Sequence, residues 1–340
     1  MLRLLSLILK DSVSLTNSAG KCNRFFDCPL RSTLRIPIFR GGCRGPFSRP
    51  QDLGSPCFEG DPMRHQLPLG IFLRAHSDLR DWLAFAREIG LETCHLAIHS
   101  SCLPTPSQRQ WLAEVLRQYG VRVTVVFCLF EGEDYSDIPT VARTVGLVPA
   151  EFREERLGKA KEIADLASWL GAPAIGLHLG FIPDERNSPA YGTILAVTRE
   201  LAEHCRKLGL ALHLETGQET ADQLLSFLNQ LGEPNVAVNF DPANMTLYGK
   251  GDPVAAARRL AHHVRSIHCK DALWADAPGQ EWGREVPIGE GDVHFPELLR
   301  VLLDSGYRAP LTIERETAGE RLREDIAKAA AYLRDLLRRL

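Results

Sequence analysis

From Leu69 to Leu337 the chain alternates between short apolar runs and longer segments with helical spacing. This alternation restricts the fold more than any other feature, because the two periodicities bury different faces. The pattern predicts strands over Leu69–Leu73, Thr93–Ile98, Val121–Phe127, Ala174–Leu179, Leu210–Leu214, Val236–Phe240, Val264–His268 and Leu311–Ile313. It predicts helices over Asp78–Ile89, Ser107–Tyr119, Ala150–Leu170, Tyr191–Leu208, Thr220–Leu231, Pro253–His263, Pro296–Ser305 and Glu320–Leu337. Glycines stop many of them, as at Gly90, Gly120, Gly171, Gly209 and Gly306. Strict alternation implies parallel βαβ units. Eight units over about 275 residues fit a (β/α)8 TIM barrel, a closed parallel eight-stranded sheet of the α/β class. An open doubly wound sheet fits less well, and no GxGxxG follows the first strand.

Residues 1–62 do not share this rhythm. They are rich in Arg, Gly, Pro, Ser and Cys, and segments such as Arg40-Gly41-Gly42 read as loop. They are expected to be a disordered or non-native extension, with residues 63–340 forming the catalytic barrel. The apolar run Leu4–Leu9 is ended at once by Lys10 and Asp11, and Lys21 stands where a lipoprotein signal needs cysteine. Cysteine is odd in number, at nine, and forms no CxxC pair. Buried reduced thiols in a cytoplasmic protein are therefore expected. A net charge of −3 without a basic block points away from nucleic acid and membranes as partners.

The chemistry gathers at the last four strands. They end in Leu212-His213-Leu214-Glu215, Val238-Asn239-Phe240-Asp241, Ser266-Ile267-His268 and Leu311-Thr312-Ile313-Glu314. In a parallel barrel the carboxyl ends of the strands converge on one face. Glu215, Asp241, His268 and Glu314 would then form one ligand set. Three carboxylates and an imidazole suit one divalent cation, Mn²⁺ or Co²⁺ foremost, with Mg²⁺ or Zn²⁺ admissible. The plainer reading makes these acids helix caps at a polar barrel mouth, but four ligand types at four successive strand ends favour a metal site.

The segments Leu214–Glu219, Asn239–Asn244, Ile267–Asp271, Pro287–Gly291 and Ile313–Glu316 resemble the xylose-isomerase-like barrel superfamily. More narrowly they are similar to its sugar phosphate isomerase/epimerase group, over about residues 67–335. The resemblance implies Glu215, Asp241, His268 and Glu314 as metal ligands. It also implies Glu215 and Glu314 as the catalytic pair that moves a carbon-bound proton through an enediolate-type transfer. The expected substrate is a small carbohydrate: a sugar, keto-sugar or sugar phosphate. Two positions depart from the epimerase pattern. Asn244 stands where those epimerases have a substrate-binding histidine, and Trp274 where they have an arginine.

His178, Asn244 and Lys270 are candidate substrate-binding residues. Lys270 lies two residues past His268, on the same side of an extended chain, where it could neutralise an enediolate or form a salt bridge. His213 reads as a core residue or a partner of the ligands, His99 as a weaker candidate, and His262-His263 as a helix C-terminus. The loops Glu131–Val148, Phe181–Pro189 and Ala272–Val286 are expected to select the substrate. An inosose-type dehydratase would use the same chemistry. An apurinic endonuclease-like hydrolase needs further histidines, and Asn244 and Gly283-Arg284-Glu285 stand in their places. Homo-oligomerisation is compatible with the sequence. A chain that begins at Met63 is expected to stay soluble and keep its metal content. Loss of soluble expression would show that residues 1–62 pack on the barrel.

Overall fold

The computed structural model describes residues 67–340, apart from 77, 317, 318 and 320; the expected extension over residues 1–62 lies outside the described residues. The eight expected strands are present and parallel. In chain order they are β1 (Leu69–Arg74), β2 (Thr93–His99), β3 (Arg122–Leu129), β4 (Ala174–Leu177), β5 (Ala211–Glu215), β6 (Val236–Phe240) and β7 (Val264–Cys269). Two short strands, β8 (Asp271–Leu273) and β9 (Arg284–Val286), then form an antiparallel pair outside the barrel. The last barrel strand is β10 (Leu311–Ile313). The closed order is β1-β10-β7-β6-β5-β4-β3-β2. The ring is sealed by Leu69 opposite Leu311, Gly70 opposite Thr312 and Ile71 opposite Ile313.

Capping chemistry sets the helix ends. Thr220 caps Ala221–Leu231 and accepts from the Gln223 amide, while Gln223 Oε1 accepts from the Thr220 amide at 2.8 Å. This reciprocal pair satisfies two amides left free by the first turn. The helix expected from Ser107 begins at Pro106 instead, because Thr105 is its cap and Gln108 Oε1 takes the Thr105 amide at 2.7 Å. The helix expected from Ala150 starts at Arg153. The polar stretch before it holds an additional helix, Ile138–Thr144, capped by Asp137. Arg156, on Arg153–Leu170, fastens this stretch over the barrel by donating to the carbonyls of Gly146 at 2.8 Å and Glu131 at 3.0 Å. The region Ala272–Val286 likewise departs from a plain loop, since both its ends belong to the β8–β9 hairpin. Residues 181–188 are a loop, as expected. Four cysteines, Cys94, Cys128, Cys205 and Cys269, are free and buried, whereas Cys102 is disulfide-bonded and departs from the expectation of reduced thiols. No helix among the described residues is long and apolar enough to cross a membrane.

The main core is the layer between strands and helices, where residues such as Leu96, Val126, Ile175, Leu212, Val238 and Ile267 face Leu83, Leu112, Ile163 and Leu298. A second, small apolar cluster fills one side of the barrel interior: Phe72, Ala97, Val125, Phe127 and Ala174. The other side is polar, with His213, Asn239, Ser266 and His268 all buried. Phe127 divides the two. Its ring centroid lies 5.6 Å from Phe72, 5.4 Å from His95 and 4.8 Å from His268. Phe127 has room because Gly176 on β4 has no side chain; a Cβ there would sit 2.6 Å from the ring. Gly176→Val is therefore expected to overpack the interior and cost about 1–3 kcal/mol. Urea denaturation checks it, and an unchanged midpoint would mean that Phe127 has space to move.

Candidate metal centre

Residues two apart on a strand face the same way, and this places the site. Glu215 ends β5, His268 is the penultimate residue of β7, and Asp241 and Glu314 directly follow β6 and β10. All four are buried, and each offers one ligand atom such that these atoms lie within 4.8 Å of one another. The four predicted ligands are thus brought together at the carboxyl face of the barrel. The backbone holds them there locally. Thr216 Oγ1 accepts from the Asp241 amide at 2.8 Å and donates to the Asp241 carbonyl at 2.9 Å, which locks the ends of β5 and β6 together. Asp241 also caps the short helix Pro242–Leu247, and its Oδ1 accepts from the Asn244 amide at 2.9 Å.

His268 Nδ1 is the centre of the cluster. It lies 2.5 Å from Glu215 Oε1, 3.2 Å from Glu314 Oε2 and 3.9 Å from Asp241 Oδ2. Burial disfavours the imidazolium, but Glu314 and Glu215 outweigh it and hold His268 protonated up to about 10. Burial pushes Asp241 up to about 8, against the pull of Lys270 and reinforced by Glu314 and Glu215. For Glu314 the burial penalty is overcome by His268 and Lys270, so its carboxyl stays well below the usual range. For Glu215 it is overcome by His178 and His268, which also lower it.

Lys270 does form a salt bridge, and its partners include two of the candidate ligand carboxylates, Asp241 and Glu314. Its side chain is 2% exposed, with Nζ 3.1 Å from Asp241 Oδ2, 3.1 Å from Glu314 Oε2 and 3.2 Å from Glu316 Oε2. His178 reaches the other side of the group, with Nε2 3.1 Å from Glu215 Oε2. Its Nδ1 lies 3.3 Å from Gln218 Nε2, which also donates to the Tyr248 hydroxyl at 3.3 Å. Asn244 joins the site through its backbone amide, and its side chain packs near Gly217. His213 lies deeper. It bonds Ser266 Oγ at 2.8 Å, and Ser266 in turn donates to Asn239 Oδ1 at 2.7 Å. Asn239 Nδ2 then donates to Glu215 Oε1 at 3.2 Å. His99 instead bonds Ser101 beside β2, and His262-His263 lie in a 3₁₀ turn before β7.

Several residues of the site were not singled out from the sequence: Asn239, Gln218, Tyr248, Glu316 and His95. For Asn239 and Glu316 a signal existed, since each lies two residues from one of the four strand-end candidates, where an extended chain turns both side chains to the same side. His95 gave none, because β2 is buried at nearly every position. The Pro287–Gly291 motif has a structural role. Asp271 accepts from the amides of Gly289 at 2.8 Å and Gly291 at 3.1 Å, and a Cβ on Gly291 would sit 2.1 Å from Asp271 Oδ1.

The residues fit a divalent cation. Asp241 Oδ2 is buried and has no hydrogen-bond donor; Lys270 stands at ion-pair distance without hydrogen-bond alignment. A buried carboxyl oxygen without a hydrogen-bond donor, beside two more carboxylates and an imidazole, makes a hard-to-borderline donor set.

Residues 83–336 match the family model described as xylose isomerase-like TIM barrel. A xylose isomerase domain protein from Planctomyces limnophilus is 44% identical, covers 80% of this chain and 98% of its own, and superposes with a TM-score of 0.74. The rhizopine catabolism protein MocC of Rhizobium meliloti is 34% identical over 143 residues, which is 37% of this chain and 42% of that protein. A 3-dehydroshikimate dehydratase of Pseudomonas putida is 31% identical over 146 residues, 41% of this chain and 23% of that enzyme. The chain spans less than half the length of these two curated relatives. The fold, the matched span and the placement of the strand-end residues lead to one conclusion: this chain belongs to the xylose isomerase-like TIM barrel family.

Proposed function

We propose that this barrel is a metal-dependent isomerase or epimerase acting on a small sugar, keto-sugar or sugar phosphate, with Glu215 and Glu314 exchanging a proton on the carbon beside a carbonyl. The observation that carries this reading is the placement of the two glutamates. They come from β5 and from just after β10, with β6 and β7 between them in the ring. Both nevertheless reach the same ligand nitrogen, at 2.5 and 3.2 Å. Two carboxylates arriving from separated directions can address opposite faces of one carbon.

Glu215, Asp241, His268 and Glu314 would hold the cation, which supplies Lewis-acid polarisation of the substrate carbonyl when bound. Glu215 takes the carbon-bound proton, and its contact with His178 gives that proton a way towards solvent, since His178 is 17% exposed. Glu314 returns a proton to the opposite face. Lys270, between Asp241 and Glu314, offsets the negative charge that the substrate gains in between. His178, Lys270 and Asn244 are the residues proposed to touch substrate oxygens.

A second reading, a dehydratase, is favoured by the dehydratase relatives from Pseudomonas putida and Pseudomonas aeruginosa, at 31% and 28% identity. It shares the first proton removal, after which the neighbouring carbon loses its hydroxyl as water. Incubation of candidate keto-sugars and cyclic hydroxyketones in deuterated water separates the two readings. Deuterium in an intact substrate skeleton supports the isomerase, and an unsaturated product supports the dehydratase.

Protein purified without chelator is expected to carry one divalent cation per chain, and Asp241→Ala to lose it. Elemental analysis checks both. The metal-free site holds protons on His268, at about 10, and on Asp241, at about 8. Both protons must leave before these groups ligate, so binding at pH 7 is expected to release protons. Apparent affinity then rises with pH, more steeply below about 8 than above it. Calorimetry in buffers of different ionisation enthalpy measures the release; a proton-neutral uptake would contradict the assigned ligands.

Glu215→Gln and Glu314→Gln are each expected to slow solvent deuterium exchange by roughly 10²–10⁴. Metal occupancy must be read in the same samples. Full occupancy with near-native exchange would leave the glutamates as ligands only.

A further inference from the structure

A divalent cation held by this site meets His268 at Nδ1, because that nitrogen faces the three carboxylates. The other ring nitrogen points the opposite way, down the barrel axis. Its partner is His95 on β2, with Nε2 of His268 2.9 Å from Nδ1 of His95. The strands β2 and β7 are not neighbours; β1 and β10 separate them in the ring. The contact therefore crosses the barrel interior.

We propose that His95 is the positioning residue of the ligand His268: it accepts the Nε2–H of His268, fixes that tautomer, and so presents Nδ1 as a lone-pair donor to the cation. This inference rests on the metal-dependent reading of the site. Its logic is proton accounting. A ligating Nδ1 carries no proton, so a neutral His268 carries its proton on Nε2. The 2.9 Å contact then requires His95 Nδ1 to be the acceptor, and the His95 proton sits on Nε2.

That second proton also has a place to go. His95 is 1% exposed, yet it forms part of the inner wall of a cavity of about 610 Å³ at the amino-terminal end of the barrel, together with His213, Ser266 and Arg265. The far end of the barrel thus supports the site without being part of it.

The identity of the acceptor matters. Ligand histidines commonly donate to a carboxylate or carbonyl, which makes the ring more basic. Three carboxylates already surround this centre, and a fourth behind His268 would add negative charge and weaken the cation as a Lewis acid. A neutral imidazole orients the ring without that charge. Phe72 and Phe127, with ring centroids 5.2 and 4.8 Å from His268, confine the imidazole from its sides. Among the described residues, His95 is the group that bonds its Nε2.

The test is cobalt binding to the chelator-treated full chain and to His95→Leu and His95→Gln, followed by affinity and by the visible Co²⁺ spectrum. His95→Leu is expected to bind Co²⁺ about 10–100-fold more weakly, with an altered spectrum. His95→Gln, whose amide oxygen can accept the same proton, is expected to restore most of the affinity. Unchanged affinity and spectrum in His95→Leu would overturn the proposal. An equal loss in both variants would also overturn it, because it would assign His95 to packing alone. Should the variants not fold, ¹⁵N NMR of the unsubstituted Zn²⁺-loaded protein decides: the proposal requires protonated Nε2 on His268 and unprotonated Nδ1 on His95. If the unsubstituted chain takes up no Co²⁺ or Zn²⁺, the metal reading itself fails, and this inference fails with it.

Discussion

Three carboxylates buried around one imidazole nitrogen set the terms for the rest of this structure. Removing a carboxylate from water is costly unless charge or hydrogen bonds replace the lost hydration. Here Glu215, Asp241 and Glu314 converge on His268, with Lys270 and His178 as further partners at ion-pair distance among the described residues. The compensation is uneven. Glu314 meets both His268 and Lys270, whereas Asp241 keeps one oxygen without a hydrogen bond and is pushed towards its protonated form. Such a cluster stores a demand for positive charge, which a divalent cation can meet.

The barrel is built to hold that demand in place. One side of its interior is apolar around Phe127, and the other carries the chain His213–Ser266–Asn239–Glu215. Gly176 makes room for the ring that separates the two, and Thr216 and Asp241 tie adjacent strand ends by paired backbone contacts. Outside the ring, Arg156 and Asp271 perform similar work on two loops, one by gathering carbonyls and the other by gathering amides. Rigid supports of this kind matter because a ligand set displaced by an ångström loses most of its value.

Much of the site was legible because a parallel barrel converts sequence order into spatial order. Glu215, Asp241, His268 and Glu314 sit at strand ends, and consecutive strand ends are neighbours around one rim. Lys270 followed from strand parity. The stretch Ile138–Thr144 was less legible: seven residues with proline at the second position give too few turns for a periodic signal. The β8–β9 hairpin was hidden for a related reason, since its strands are three residues each and ten residues separate them.

The sequence by itself determined the alternation, the closed parallel sheet and the four strand-end residues that cluster at one rim, because each depends on local periodicity or on chain order. Only the tertiary structure decided which groups meet inside the barrel: Phe127 against Gly176 of the adjacent strand, Lys270 between Asp241 and Glu314, and above all His95 behind His268 across the ring. The last pair joins β2 and β7, which β1 and β10 separate in the ring, and all three contacts depend on the diameter and register of the closed sheet. No spacing within a single strand encodes that distance.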